Sequence, residues 1–123
     1  MADFMNVNVV YFYVKDWEAS KKFYRDLLGW PVAWTSDEVG WEEYGEEGST
    51  HLAINRWDEP GSPPHANNPT CTLTVEDCHK TTEWLRAKGI KCDDVVVIPN
   101  VVTYGGFYDP EGNRIQFAGL TPQ

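Results

Sequence analysis

No stretch of this chain stays apolar for the roughly 20 residues that a membrane-spanning helix needs, so none is expected. Positive charge is scarce. Ten Lys and Arg stand against 19 Asp and Glu, a formal net charge of −9. A phosphate backbone or an anionic lipid surface would be repelled, so neither nucleic acid nor membrane is expected as a partner. Cysteine is sparse too: Cys71, Cys78 and Cys92 are odd in number and carry no Cys-x-x-Cys spacing. They read as unpaired thiols of a reducing compartment, the cytoplasm, where buried Cys acts as a small hydrophobe. The opening Met-Ala-Asp-Phe-Met-Asn has no basic patch followed by an apolar stretch, so no secretory signal is expected there. No Ser/His/Asp or Cys/His set stands out, and nothing has the form of a phosphate-cradling glycine loop.

What the chain does have is aromatic weight: six Trp, six Tyr and five Phe, or 14% of its 123 residues. Aromatics fill cores and dimer interfaces, and they also line pockets for planar ligands. The length suits a single domain (1–123) with one hydrophobic core.

Asn6 to Val14 is rich in Val, Tyr and Phe, as strands are. Asp16 stands at a helix N-cap, and Ser20, Phe23, Tyr24, Leu27 and Leu28 follow the spacing of one helical face up to Gly29. Strands are expected at Trp30–Thr35, Gly40–Gly45 and Thr50–Trp57. Residues 58–69, with Pro60, Gly61, Pro63, Pro64, Asn67 and Asn68, read as a linker. The order then repeats. Thr70–Val75 is a strand, Asp77 a cap, and Thr81, Trp84 and Leu85 a helical face ended by Gly89. Val95–Ile98, Thr103–Tyr108 and Asn113–Ala118 supply three more strands. Val14-Lys15-Asp16 and Val75-Glu76-Asp77 stand in corresponding places, as do Leu28-Gly29-Trp30 and Lys88-Gly89-Ile90. That is the mark of a duplicated unit. The fold class is therefore α+β, with two consecutive βαβββ modules over about 6–57 and 70–119.

Asp16-Trp17-Glu18-Ala19-Ser20, then Phe23-Tyr24-Arg25-Asp26-Leu27-Leu28-Gly29-Trp30, resembles the opening of vicinal-oxygen-chelate proteins, the glyoxalase, bleomycin-resistance and extradiol-dioxygenase superfamily. Val75-Glu76-Asp77, Gly89 and Phe107-Tyr108-Asp109-Pro110-Glu111-Gly112-Asn113-Arg114-Ile115-Gln116-Phe117 extend the resemblance from about Val7 to Gly119. It implies an open eight-stranded cup and a homodimer. Asp109-Pro110-Glu111-Gly112 also has a plain structural reading as a type I turn, with Asp109 and Asn113 bonding their own backbone. Gly105-Gly106 marks a bulge or a close backbone approach.

Strand side chains alternate, so each strand splits into two faces. Val10, Phe12 and Val14 oppose Val9, Tyr11 and Tyr13; Leu52 and Ile54 oppose His51, Ala53 and Asn55. Cys71, Leu73 and Val75 oppose Thr70, Thr72 and Thr74; Ile115 and Phe117 oppose Arg114, Gln116 and Ala118. One set of each is apolar and fit to pack under helices carrying Phe23, Tyr24, Trp84 and Leu85. The mixed set faces the cup, which makes Tyr11, Tyr13, His51, Asn55, Thr72, Arg114 and Gln116 the candidate ligand-binding residues.

The resemblance implies metal ligands on that mixed face. Its positions fall on Val9, Thr70, Gln116 and either His51 or Ala53. Val9 has no donor atom and Thr70 is a poor ligand. His51 and Gln116 are thus the only metal candidates, too few for a catalytic ion that usually needs three protein ligands. His65, in the linker, and His79, at a helix start, read as surface residues. Three readings follow. The favoured one is a cup that binds a small aromatic or cationic molecule without a cofactor. The others are a metal-dependent lyase, isomerase or dioxygenase of the same superfamily, and a metal-free enzyme using the cup's Tyr, His or Gln; catalysis is left open.

Overall fold

The computed structural model describes residues 5, 7–63 and 70–119. The chain forms two compact units that divide between residues 68 and 69. Each is a βαβββ module with its own four-stranded mixed sheet. Of the expected linker, residues 58–63 carry neither helix nor strand. The remainder, His65 included, lies outside the described residues. No helix among the described residues is long and apolar enough to cross a membrane.

The first module runs β1 (Val9–Val14), α1 (Trp17–Lys21), a π-helical turn (Lys22–Leu27), β2 (Val32–Ser36), β3 (Trp41–Tyr44) and β4 (His51–Arg56). Its sheet has the order β1-β4-β3-β2, with β1 parallel to β4 and the other pairs antiparallel. Asp16 caps the helix by accepting the Ala19 N–H at 3.1 Å. Phe12, Val14, Leu52, Ile54 and Tyr44 are buried on one face of the sheet against Phe23 and Tyr24, whose ring stacks on Tyr44 at 5.4 Å. The π turn changes one expectation. Leu28 N–H reaches back five residues to the Phe23 carbonyl, and the wider turn rotates Leu27 out of the core stripe to 38% exposure. Glu42 shares the core face and is fully buried. It accepts hydrogen bonds from Thr35 (2.8 Å) and Tyr44 (2.5 Å), with the Arg25 guanidinium 3.9 Å away. Burial, then the bond to Glu42, pushes the Tyr44 phenol far up.

The second module runs β5 (Cys71–Thr74), α2 (Cys78–Ala87), β6 (Val96–Ile98), β7 (Val102–Tyr108) and β8 (Arg114–Gly119), with sheet order β5-β8-β7-β6. Asp77 caps α2 through the N–H groups of His79 and Lys80; His79 itself is exposed, as expected. The buried stripe of α2 is Cys78, Thr82 and Leu85. Trp84 is not in it. One residue off that stripe means a rotation of about 100°, so Trp84 is 49% exposed, with the Lys88 ammonium 4.6 Å from its ring. Gly105 and Gly106 lie inside β7 without a bulge, and close approach explains both. A Cβ on Gly105 would come 2.8 Å from the Phe117 ring, and one on Gly106 would come 2.7 Å from Arg114 Nη2.

The turn between β7 and β8 is a tied knot of local bonds. Gly112 N–H donates to the Asp109 carbonyl at 3.1 Å. The Asp109 carboxylate accepts from the backbone of Glu111 and Asn113 and from the Asn113 amide. Asp109 and Asn113 are scaffold. Gly112 sits at φ 85°, and a Cβ added there would have no atom within 4 Å, so a side chain meets a backbone penalty and no clash. Gly112→Val is expected to lower the unfolding free energy by about 1–3 kcal/mol; an unchanged denaturant midpoint would contradict the positive-φ turn.

Candidate ligand-binding site

In the first module, β1 and β4 pair in parallel register: Val9 with His51, Tyr11 with Ala53, Tyr13 with Asn55. Antiparallel β3 adds Trp41 beside Asn55 and Glu43 beside Ala53. The face away from the helix therefore carries a row of rings. Trp41 lies 5.1 Å from Tyr11, Tyr11 5.5 Å from Tyr13, and Tyr13 5.1 Å from Trp57. Ala53, at the centre of this face, is fully covered, while Tyr11 remains 38% exposed. Asn55 makes no side-chain hydrogen bond among the described residues, so its amide keeps both donor and acceptor capacity beside the row.

Glu43 organises the edge. Its carboxylate accepts from Trp41 Nε1 at 3.0 Å and meets His51 Nδ1 at 2.5 Å, while His51 Nε2 faces the Glu46 carbonyl at 2.8 Å. A backbone carbonyl only accepts, so Nε2 carries a proton. The carboxylate on the other side favours a proton on Nδ1 as well. The bond to Glu43, then that to Glu46, raises the His51 pKa; the same contact, then Trp41, lowers that of Glu43. Both His51 nitrogens are engaged, and both contacts favour the imidazolium form. Gly45 makes room for it, since a Cβ there would come 2.6 Å from His51 Cδ2.

In the second module Thr72 pairs with Gln116, and Gln116 with Gly106, while Arg114 pairs with Tyr108. A chain of hydrogen bonds crosses this face. Tyr108 and Arg114 Nε both donate to Asp93 at 2.9 Å, Arg114 Nη1 donates to Gln116 Oε1 at 3.1 Å, and Gln116 Nε2 donates to Thr72 Oγ1 at 3.2 Å. An open hollow of about 620 Å³, lined by Thr74, Val75, Glu76, Val101, Val102, Ala118 and Gly119, touches none of the sequence-derived candidates.

The model of the Glyoxalase/Bleomycin resistance protein/Dioxygenase superfamily matches residues 6–117. The chain belongs to that superfamily. Solved relatives share the fold at low identity. TnmS3, an antibiotic binding protein from Streptomyces sp. CB03234, has a TM-score of 0.79 at 22% identity, over 98% of this chain and 100% of its own. The glyoxalase family protein from Enterococcus faecalis gives 0.71 at 21%, over 94% and 98%. Lactoylglutathione lyase from Agrobacterium tumefaciens gives 0.67 at 19%, over 93% and 92%. No curated protein matches the chain in sequence.

The divalent ion that the superfamily implies does not fit the residues at its positions. Val9 and Ala53 offer no donor, and Thr70 offers one hydroxyl. Both His51 nitrogens face acceptors, and both Gln116 amide groups bond to neighbours. Among the described residues no three His, Cys, Asp or Glu side chains converge. The sequence reading missed Trp41, Trp57, Glu43 and Asp93. Trp41 and Glu43 alternate within the expected strand at Gly40–Gly45, so pairing that strand against Thr50–Trp57 would have found them. Trp57 ends the expected strand at Thr50–Trp57 and alternates with His51, Ala53 and Asn55, so the same face assignment reaches it; Asp93 lies between α2 and β6, where alternation gives no guide.

Titrating His51 by NMR is expected to give a pKa above the ordinary histidine value, and Glu43→Gln to bring it down. With a raised folded value, the contact stabilises fully below the unfolded histidine pKa near 6.5 and is lost as pH rises through the folded one. The lowered Glu43 value sets the acid limit, below which protonation removes the same contact. An ordinary pKa in both proteins would contradict the pairing.

Proposed function

We propose that this superfamily member binds a small planar molecule, aromatic or cationic, on the mixed faces of its strands and without a metal ion. The row Trp41–Tyr11–Tyr13–Trp57 carries the reading. Its rings offer stacking surface, and Asn55 a hydrogen bond beside them. On the corresponding face of its own sheet, the second module offers the polar groups of Thr72, Arg114 and Gln116. A planar cation would gain a cation–π contribution of about 0.5–2 kcal/mol over such rings, and the −9 net charge favours its approach. The poor fit of the metal positions supports the metal-free form. That TnmS3 is an antibiotic binding protein is in keeping with it.

Two further points belong to the same reading. We propose a homodimer, because β2 and β6 are edge strands with exposed Trp34 (52%) and Val96, Val97 and Ile98 (41–43%). We also propose a cytoplasmic setting, since Cys71, Cys78 and Cys92 are free and burial pushes each thiol up, leaving them unreactive. Sedimentation at micromolar concentration is expected to give twice 14.0 kDa; a species of 14.0 kDa would refute the dimer.

The binding reading is tested with proflavine, a planar aromatic cation, in excess EDTA, following quenching of tryptophan fluorescence. Saturable binding is expected. Tyr11→Ala is expected to weaken it about 5- to 30-fold, as loss of ~1–2 kcal/mol of ring contact implies. Binding that requires added Zn²⁺, Mn²⁺ or Fe²⁺, or that Tyr11→Ala leaves unchanged, would defeat the proposal.

A further inference from the structure

We propose that the sheet of the second module carries a site for an apolar acid, of which an aromatic carboxylate is the simplest case. This rests on the mixed strand faces being the ligand-bearing ones, and it adds the chemistry of what the second module takes.

The hydrogen bonds across this face leave donors unused. Asp93 accepts from Tyr108 and Arg114, Gln116 Oε1 accepts from Arg114, and Thr72 Oγ1 accepts from Gln116. A guanidinium has five N–H groups; these bonds use two of them and the contact with Tyr108 one more, which leaves two. The Gln116 amide keeps a second N–H. Thr72, having accepted, keeps its own O–H to donate. Moving from Asp93 toward Thr72, the row presents unused donors. A carboxylate is planar and only accepts, so it is the group that such a row satisfies best.

Arg114 is also held rigid. Asp93 fixes Arg114 Nε, and the guanidinium lies over Gly106, where any Cβ would come 2.7 Å from Nη2 and 2.9 Å from Cζ. The Arg114 side chain is still 30% exposed. A charged fork held in place before binding loses little rotamer freedom when a ligand arrives.

The hollow shares two strands with this row. Thr74 and Ala118, both in its lining, lie two residues beyond Thr72 and Gln116 on the same strands. Two residues along a strand keep the same face and advance roughly 6–7 Å. An apolar body seated among Val75, Val101, Val102 and Ala118 would therefore reach the donor row with an acidic group at its end. Glu76 lines the hollow as well and disfavours a second acidic group there. The −9 net charge opposes an anion at long range, but screening beyond about 8 Å at physiological ionic strength leaves the short-range donors to decide.

The test compares 2-naphthoate with its neutral analogue 2-naphthylmethanol on the full ¹⁵N-labelled chain. 2-Naphthoate is expected to shift the Arg114 Nε–Hε and Gln116 side-chain amide signals and to bind about tenfold more tightly than the alcohol. Arg114→Gln and Thr72→Val are each expected to cut that preference severalfold. Thr72 is exposed, so its variant keeps the fold and leaves the test intact if Arg114→Gln does not. Equal binding of the two compounds, absence of any shift at millimolar 2-naphthoate, or a preference that survives both substitutions would overturn the site. Failure of proflavine to bind, with the naphthoate preference intact, would remove the first-module platform and leave this one standing.

Discussion

The parallel pairing of β1 with β4 is the constraint from which the candidate site follows. In this register Tyr11 and Tyr13 lie beside Ala53 and Asn55, and Phe12 beside Ile54. Side chains alternate along a strand, so a slip of one residue would send the tyrosines under the helix and the core residues outward. Phe12, Val14, Leu52 and Ile54, all 0–2% exposed, make that slip costly. The core thus holds the aromatic row in position, although it shares no residue with it. The second module repeats the device, with Cys71 beside Ile115 and Thr72 beside Gln116.

Polar groups on the two sheets are mostly bonded to each other, and this shapes what either can do. Glu43 engages His51 Nδ1 while the Glu46 carbonyl engages Nε2, so neither ring nitrogen is open to a metal or to a substrate proton. Asp93 does something different. It anchors the Nε edge of the Arg114 guanidinium and leaves the side chain 30% exposed. The same interaction, a carboxylate on a cationic side chain, closes one site and preorganises another. What separates them is whether donors are left over: both His51 nitrogens face acceptors, while the five N–H groups of Arg114 outnumber its contacts with Asp93, Gln116 and Tyr108.

Much of this was legible in the sequence, because alternation and helix caps are local signals. The strands, the Asp16 and Asp77 caps, the Asp109–Gly112 turn and the face carrying Tyr11, Tyr13, His51 and Asn55 could be read residue by residue. The errors lie where geometry departs from the ideal period. A π turn displaced Leu27, and a one-residue offset put Trp84 on the surface. The partners were harder to read: the Glu43 contact with His51 follows only once β3 is paired with β4, and Asp93 reaches Arg114 along a loop path that no short motif encodes. The occupied state of His51 was hidden for the same reason.

The central claim is that ligand binding on these faces needs no metal. Elemental analysis of protein purified without chelator, on the same sample that binds proflavine, tests it most directly. The account predicts full binding with no stoichiometric divalent metal. One tightly held Zn²⁺, Mn²⁺ or Fe²⁺ per chain, with binding lost on its removal, would contradict it.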